Sequence, residues 1–206
     1  MSPLATVALL LAASLVPFLV AVLTSFVKIA VVLAILRNAL GARDVPPAIV
    51  VTGVAIVLSL VVMAPVGAEV WRAVEPAVQG RADVQAAAEA ARPPVTRFLA
   101  RHAHPRDRAL FLDLARRMEK DGEVRDDDLA VLAPAFATSQ LAEAFTVGFL
   151  LFLPFLVIDL FVAIALRSLG LEALPPVAVA LPMKLVLFVA VDGWALVARA
   201  LVASYA

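Results

Sequence analysis

Two long apolar runs dominate the second half of this chain, and each contains one ionisable side chain. The run over 145–166 contains Asp159, and the run over 176–191 contains Lys184. Apolar runs of this length with a short polar connection between them predict a helical hairpin that lies in a low-dielectric environment.

The two charges in these runs are predicted to pair. If the chain turns between Gly170 and Pro175, Asp159 and Lys184 lie at similar distances from the turn, so antiparallel helices bring them to similar depth. An unpaired charge at membrane depth costs about 3 kcal/mol or more. The pair is either a structural ion pair, in which case exchanging the two charges should recover part of the stability, or part of a path for an ion or proton.

The first half of the chain begins with an uncharged segment. Lys28 is the first charged residue, and the apolar run continues to Leu36, which is too long for one straight crossing of a bilayer. We predict a break at Pro17. Because no Lys or Arg precedes the apolar residues, we predict a retained segment and not a cleaved signal peptide.

Two connections share one design, in which a basic residue complements the helix dipole, a glycine caps the helix and prolines open the next one. This match indicates an internal repeat or convergence on residues that are common at hairpin tips. The residues are Arg37, Gly41, Pro46 and Pro47 in the first tip, and Arg167, Gly170, Pro175 and Pro176 in the second.

A charged segment separates the two apolar halves. It predicts short amphipathic helices with breaks at Pro93–Pro94 and Pro105, and its charges favour a solvated face over a binding site. We therefore predict an all-α, membrane-class protein of two helical hairpins, that is, four long apolar helices, over 1–68 and 133–206. A mostly helical insert over 69–132 joins them. Arginine at the tips places the tips in the cytoplasm, with the insert and both termini on the other side.

Composition agrees with the membrane class and narrows the chemistry. The 206 residues are 64% hydrophobic and 17% charged, with zero net charge, no Cys and two His. Zero net charge argues against nucleic acid as a partner, and the shortage of Cys and His argues against a metal site. We expect no cofactor.

Several segments together resemble the FliP/SctR family, which includes YscR- and HrcR-like proteins. They are TSFVKIAVVLAILRNALG, PAFATSQLAEAFTVGF, LPFLVIDL and LPMKLVLFVAVDGW. The resemblance implies a core subunit of the export gate of type III protein secretion, with no catalytic activity. It is closer to the injectisome branch, because flagellar members usually begin with a cleavable signal peptide.

The resemblance also implies an assembly in the bacterial inner membrane. About five copies are expected to form a pore with SctS/FliQ-like and SctT/FliR-like subunits, and with an SctU/FlhB-like subunit beside them. Unfolded substrates pass through the centre, and the multi-pass complex can project to the periplasmic side.

The second tip is where the resemblance places the gate. Family members carry a run of Met there, whereas this chain has Leu171, Glu172 and Ala173. We predict that these residues line the narrowest part of the pore. Glu172 then either contributes to a ring of carboxylates or turns back to Arg167 as a clasp.

Two other functions are alternatives to the gate. An aspartyl intramembrane protease needs two carboxylates at one depth, whereas Asp159 and Asp192 lie at different distances from the tip. A small ion or proton transporter or channel is the stronger alternative, with Lys28, Asp159, Lys184 and Asp192 forming a charged relay in the membrane.

Overall fold

The computed structural model describes residues 14, 17–41, 46–118, 124–171 and 173–206, and this part of the chain is helical throughout, without a strand. The helices are α1 (Phe26–Leu40), α2 (Ala48–Val78), α3 (Val84–His102), α4 (Pro105–Met118), α5 (Leu129–Ser168), α6 (Pro176–Ala190) and α7 (Gly193–Ala203). Residues 17–22 form a further helical segment ahead of α1.

The chain divides into two compact units. Unit 1 comprises residues 1–27 and 62–141, and unit 2 comprises residues 28–61 and 142–206. Helices α2 and α5 each contribute residues to both units. The predicted division at 68 and 132 stays a prediction.

In unit 2, α1 and α5 run in the same direction. Lys28, near the start of α1, contacts Glu143, and Ile35, further along α1, packs against Gly148. A Cβ atom at Gly148 would overlap the Ile35 Cδ1 methyl and lie 3.1 Å from Ile35 Cγ2, so only glycine allows this approach. Both helices therefore run toward the same end of unit 2, and α5 continues beyond the end of α1, because Ala39 lies level with Asp159 through their shared partner Lys184.

Helix α6 returns antiparallel along α5. Ala180 joins Val162 and Leu166 in one buried cluster, and further from the tip the rings of Phe155 and Phe188 lie 6.3 Å apart. This order of contacts places residues on the two helices at matching distances from the second tip, as the sequence predicted for Asp159 and Lys184.

In unit 1, α3 packs against the first part of α5. Phe98 and Leu99 are buried in this contact, and the Phe98 ring lies 5.6 Å from the ring of Phe136. The predicted break at Pro93–Pro94 is absent, because α3 continues through both prolines and Pro94 is buried. Burial of this helix face outweighs the loss of backbone hydrogen bonds at proline.

Within the part of the chain that the structure describes, two helices are long and apolar enough to cross a membrane, and a third crossing is possible if α6 and α7 form one bent span. Helix α2 has 31 residues and α5 has 40, so α2 extends beyond the predicted end of the first hairpin at 68 and α5 begins before the predicted start of the second at 133. Both helices continue into the segment predicted as the insert.

The other difference concerns the first apolar run. A break lies at residues 23–25. Pro17 begins the described helical segment, and residues 15 and 16 ahead of it lie outside the described residues, so the predicted break at Pro17 stays a prediction. The Thr24 hydroxyl accepts a hydrogen bond from the Phe26 amide at 3.3 Å, so a side-chain cap at the start of α1 produces the break.

Candidate functional site

Lys184 joins three helices of unit 2 through one ammonium group. Its Nζ donates to Asp159 Oδ2 on α5 at 2.8 Å and to the Ala39 carbonyl in the last turn of α1 at 3.0 Å. The last carbonyls of a helix lack intrahelical partners and carry its negative dipole end, so a cation is stabilising there. The Lys184 side chain is 7% exposed, and that of Asp159 is 39% exposed.

The first tip begins directly beside this ammonium. Gly41 follows α1 with a φ of 73°, and Gly170 follows α5 with a φ of 70°. Both glycines therefore have the left-handed conformation expected of helix caps. A Cβ atom at Gly41 would lie 3.6 Å from Lys184 Nζ, so the backbone angle and not the available space requires glycine.

The remaining tip residues lie where the sequence placed them along the chain. Arg37 is in the last turn of α1, Pro46 and Pro47 precede α2, and Arg167 is in the last turn of α5. Pro175 caps the start of α6, and Pro176 is its first residue.

The predicted gate residues follow α5. Leu171 and Ala173 are exposed, and the Leu171 amide donates to the Leu166 carbonyl at 3.0 Å, which closes the end of the helix. Glu172 lies outside the described residues. Its two alternative roles, ring and clasp, stay predictions.

Lys28 has a carboxylate partner that the sequence analysis missed. Its Nζ lies 2.6 Å from Glu143 Oε2 and 4.6 Å from the centre of the Tyr205 ring, and Lys28 is 3% exposed. Burial, and then the nearby Glu143 carboxylate, raise the pKa of the Tyr205 hydroxyl, which keeps it protonated. Glu143 was detectable as the one acidic residue of the LAEAF segment that leads into the apolar run.

The four ionisable residues of the predicted relay do not share one contact network. Lys184 pairs with Asp159, Lys28 pairs with Glu143, and Asp192 is exposed in the break between α6 and α7. Asp192 has a φ of 49°, and the two helices meet there at a bend of 60°. The structure thus contains two separate ion pairs, and α5 supplies the carboxylate of each.

Unit 1 contains a buried polar cluster that the sequence analysis also missed. Ser139 Oγ lies 2.6 Å from Asp107 Oδ2 and accepts the His104 amide at 2.8 Å, while Gln140 Nε2 donates to the His102 carbonyl at 3.1 Å. These bonds attach the turn between α3 and α4 to α5. Among the described residues, no group of three or more His, Cys, Asp or Glu side chains is placed to hold a metal ion.

Comparison with known proteins identifies the family of this chain. The model of the FliP family matches residues 9–201 of the chain. The chain belongs to the FliP family.

The matched regions cover most of each relative and most of this chain. The pathogenicity-related ORF2 of Xanthomonas campestris pv. glycines is 47% identical over 93% of this chain and 91% of its own. The hypersensitivity response secretion protein HrcR of Ralstonia nicotianae is 44% identical over 94% and 93%. The flagellar biosynthetic protein FliP of Bacillus subtilis is 38% identical over 93% and 87%.

Membership in the FliP family establishes the general role of this chain. Its members are structural components of the type III secretion export apparatus, so this chain is a membrane-associated component of that apparatus and not an enzyme.

Proposed function

We propose that this chain is a core subunit of the type III export gate, and that its copies form with partner subunits the pore through which unfolded substrates leave the cell. The observation that carries the proposal is the position of the two tips. In this FliP-family chain α1 and α5 run in the same direction, and Lys184 attaches the end of α1, where the first tip begins, to Asp159 about three turns of helix before the second tip.

A pore built from this end would have its tips at the constriction. Leu171 and Ala173 are exposed beside the left-handed Gly170, so they are free to face a central axis in an oligomer. We propose about five copies with SctS/FliQ-like, SctT/FliR-like and SctU/FlhB-like partners in the bacterial inner membrane. The relatives named for pathogenicity and hypersensitivity support the injectisome branch.

Site-specific cross-linking to a stalled substrate tests the proposal. A photoreactive amino acid replaces Leu171 or Ala173 in the chain co-expressed with its partners, while a substrate fused to a tightly folded domain blocks export. We expect cross-links from both tip positions to the substrate. Met118, which is 84% exposed and distant in sequence from either tip, is the matched control position and should give none.

Two outcomes would overturn the proposal. One is a stalled substrate that cross-links to Met118 and to neither tip position. The other is failure of the chain to restore secretion in a strain that lacks its own FliP-family subunit but retains the partners. The native mass of the purified complex then tests the number of copies separately.

A further inference from the structure

Helix α7 has two opposite faces, one packed within unit 2 and one open. The packed face is buried and comprises Gly193, Val197 and Leu201. The open face is exposed and comprises Asp192, Leu196, Arg199 and Ala203. Its members follow one another at intervals of four, three and four residues, which is the spacing of a helix face that packs against another helix.

The open face carries two opposite charges without partners. Asp192 and Arg199 lie seven residues apart, which is about 10 Å along the helix. Asp192 caps the start of α7, yet its carboxylate accepts no hydrogen bond from the helix. Across the residues that the structure describes, neither side chain has an ion-pair or hydrogen-bond partner. Both groups are therefore available to a second molecule.

The surroundings of these two charges are apolar. Val189 is 76% exposed, Val191 is 51% exposed and Leu196 is 56% exposed. Helices α6 and α7 together form a candidate membrane span with a bend of 60°. Because a charge at membrane depth is costly unless it is paired, a neighbour has to supply a cation opposite Asp192 and an anion opposite Arg199.

A second copy of α7 meets this requirement. When two copies of the helix lie side by side with a shift of seven residues, Asp192 of one copy faces Arg199 of the other. The same shift brings Leu196 opposite Ala203, so a large apolar side chain meets a small one. The open face is thus complementary to itself in charge and in size.

The bend between α6 and α7 favours this shift in a ring of copies. Where α6 runs along the axis of the ring, the bend inclines α7 by 60° to that axis. Inclined neighbours in a ring are displaced along their own lengths. At a helix spacing of about 9 Å, a displacement of about 10 Å corresponds to an inclination of roughly 50°, which agrees with the bend within the scatter of helix packing angles.

We propose that the open face of α7 is the interface between neighbouring copies of this chain, and that Asp192 of one copy pairs with Arg199 of the next. The inference rests on the oligomer proposed above and deepens it, because it names residues that join the copies. Each copy gives its carboxylate to one neighbour and its guanidinium to the other. The contact is therefore head-to-tail, which is the kind that closes into a ring.

Charge reversal on separate chains tests the pairing. Asp192→Arg makes both charges of the open face positive, and Arg199→Asp makes both negative, so either variant alone places like charges at every contact. We expect each to lower the yield of complex assembled with the partner subunits several-fold. The two variants expressed together with different tags should recover most of the yield and purify as one complex, whereas mixing cannot recover a pair formed within one chain.

The backbone at residue 192 requires a matched control. Asp192 has a φ of 49°, which most side chains adopt only with strain. Asp192→Gln carries this backbone cost without a new charge, so it should lose less complex than Asp192→Arg. Normal assembly of Asp192→Arg and of Arg199→Asp, or a loss that mixing leaves unchanged, would overturn the inference.

Thiol cross-linking covers the case in which a reversed charge prevents folding. Asp192→Cys and Arg199→Cys are placed on separate, differently tagged chains, which contain no other Cys. A short bifunctional thiol reagent should join the two tags in the assembled complex. The control combines Asp192→Cys with Val157→Cys, a position on α5 that is 64% exposed, and it should give little product.

Secretion measured in the same strains separates this inference from the proposed function. If the Cys variants restore secretion but give no product with both tags, or as much product in the control, the α7 interface is wrong and the gate function stands. If the unmodified chain neither assembles with the partners nor restores secretion, the proposed function fails and the inference fails with it.

Discussion

The sequence predicted a simple ion pair for Lys184, and in the structure this side chain connects three helices. Its position opposite Asp159 follows from counting residues on either side of the tip. The Ala39 carbonyl could not be predicted in this way, because a backbone acceptor carries no sequence signal. Glu143 and Tyr205 were missed for a related reason, since pairing Lys28 with them requires knowing which helices are neighbours.

At this residue scale, removal of Asp159 and removal of Lys184 should destabilise the protein by different amounts. Asp159→Leu leaves the buried Lys184 ammonium with the Ala39 carbonyl alone, which should cost about 3 kcal/mol. Lys184→Met leaves the Asp159 carboxylate, which is less buried within the protein, with 39% of its side chain exposed, so we expect a smaller loss of about 1 to 2 kcal/mol. The midpoint of thermal unfolding in detergent measures both.

The contact with the Ala39 carbonyl lowers the recovery that the sequence alone predicts for charge exchange, so we now expect little recovery. In Asp159→Lys with Lys184→Asp, the new carboxylate would face the Ala39 carbonyl, and two acceptors cannot share a hydrogen bond. Full recovery in the exchanged protein, or equal losses in the two single variants, would show that the contact with α1 contributes nothing.

At the scale of helices, Gly148 determines how closely α1 and α5 approach. Gly148→Ala should weaken this packing by about 1 to 3 kcal/mol, because the new methyl group overlaps Ile35. Gly53→Ala is the control, since it adds the same methyl group where nothing lies within 4 Å, and it should be neutral or stabilising.

The helix contact has its own rescue test. Ile35→Val removes the Cδ1 methyl that the alanine would meet, so Gly148→Ala with Ile35→Val should be more stable than Gly148→Ala alone. Both are compared by thermal unfolding in detergent. If the second change adds a further loss, Ile35 does not cause the strain.

Helix identity was more predictable than helix length. The apolar pattern predicted the helices on either side of each tip, and Gly41 and Gly170 predicted where α1 and α5 end. The continuation of α2 to Val78 and of α3 through Pro93 was not predictable, because both depend on packing partners that a local pattern does not contain.

At the scale of the whole molecule, the topology prediction concerns three exposed positions. The natural chain has no Cys, so Asn38→Cys and Leu169→Cys report the two tips and Arg106→Cys reports the insert. We expect an impermeant thiol reagent to label Arg106→Cys in intact cells, and the two tip variants only after the membrane is opened, because tip arginines favour the cytoplasm.

The two tip variants also act as controls for each other. Since α1 and α5 run in the same direction in unit 2, their C-terminal ends should lie on the same side of the membrane and their labelling should agree. Labelling of both tips in intact cells would reverse the orientation, and labelling of one alone would contradict the parallel arrangement of α1 and α5.

The length of α5 has a consequence for the life of the subunit in the cell. At 1.5 Å per residue its 40 residues extend about 60 Å, twice the thickness of the hydrocarbon core, and many of its large apolar side chains are exposed. The hydrocarbon core of a bilayer is too thin to cover the whole length of such a helix, so partner subunits have to cover the rest. An unassembled copy therefore displays the surface that proteases and chaperones recognise. In a pulse-chase measurement, copies made without partners should decay several-fold faster than co-expressed copies, so the supply of partners would set the number of gates.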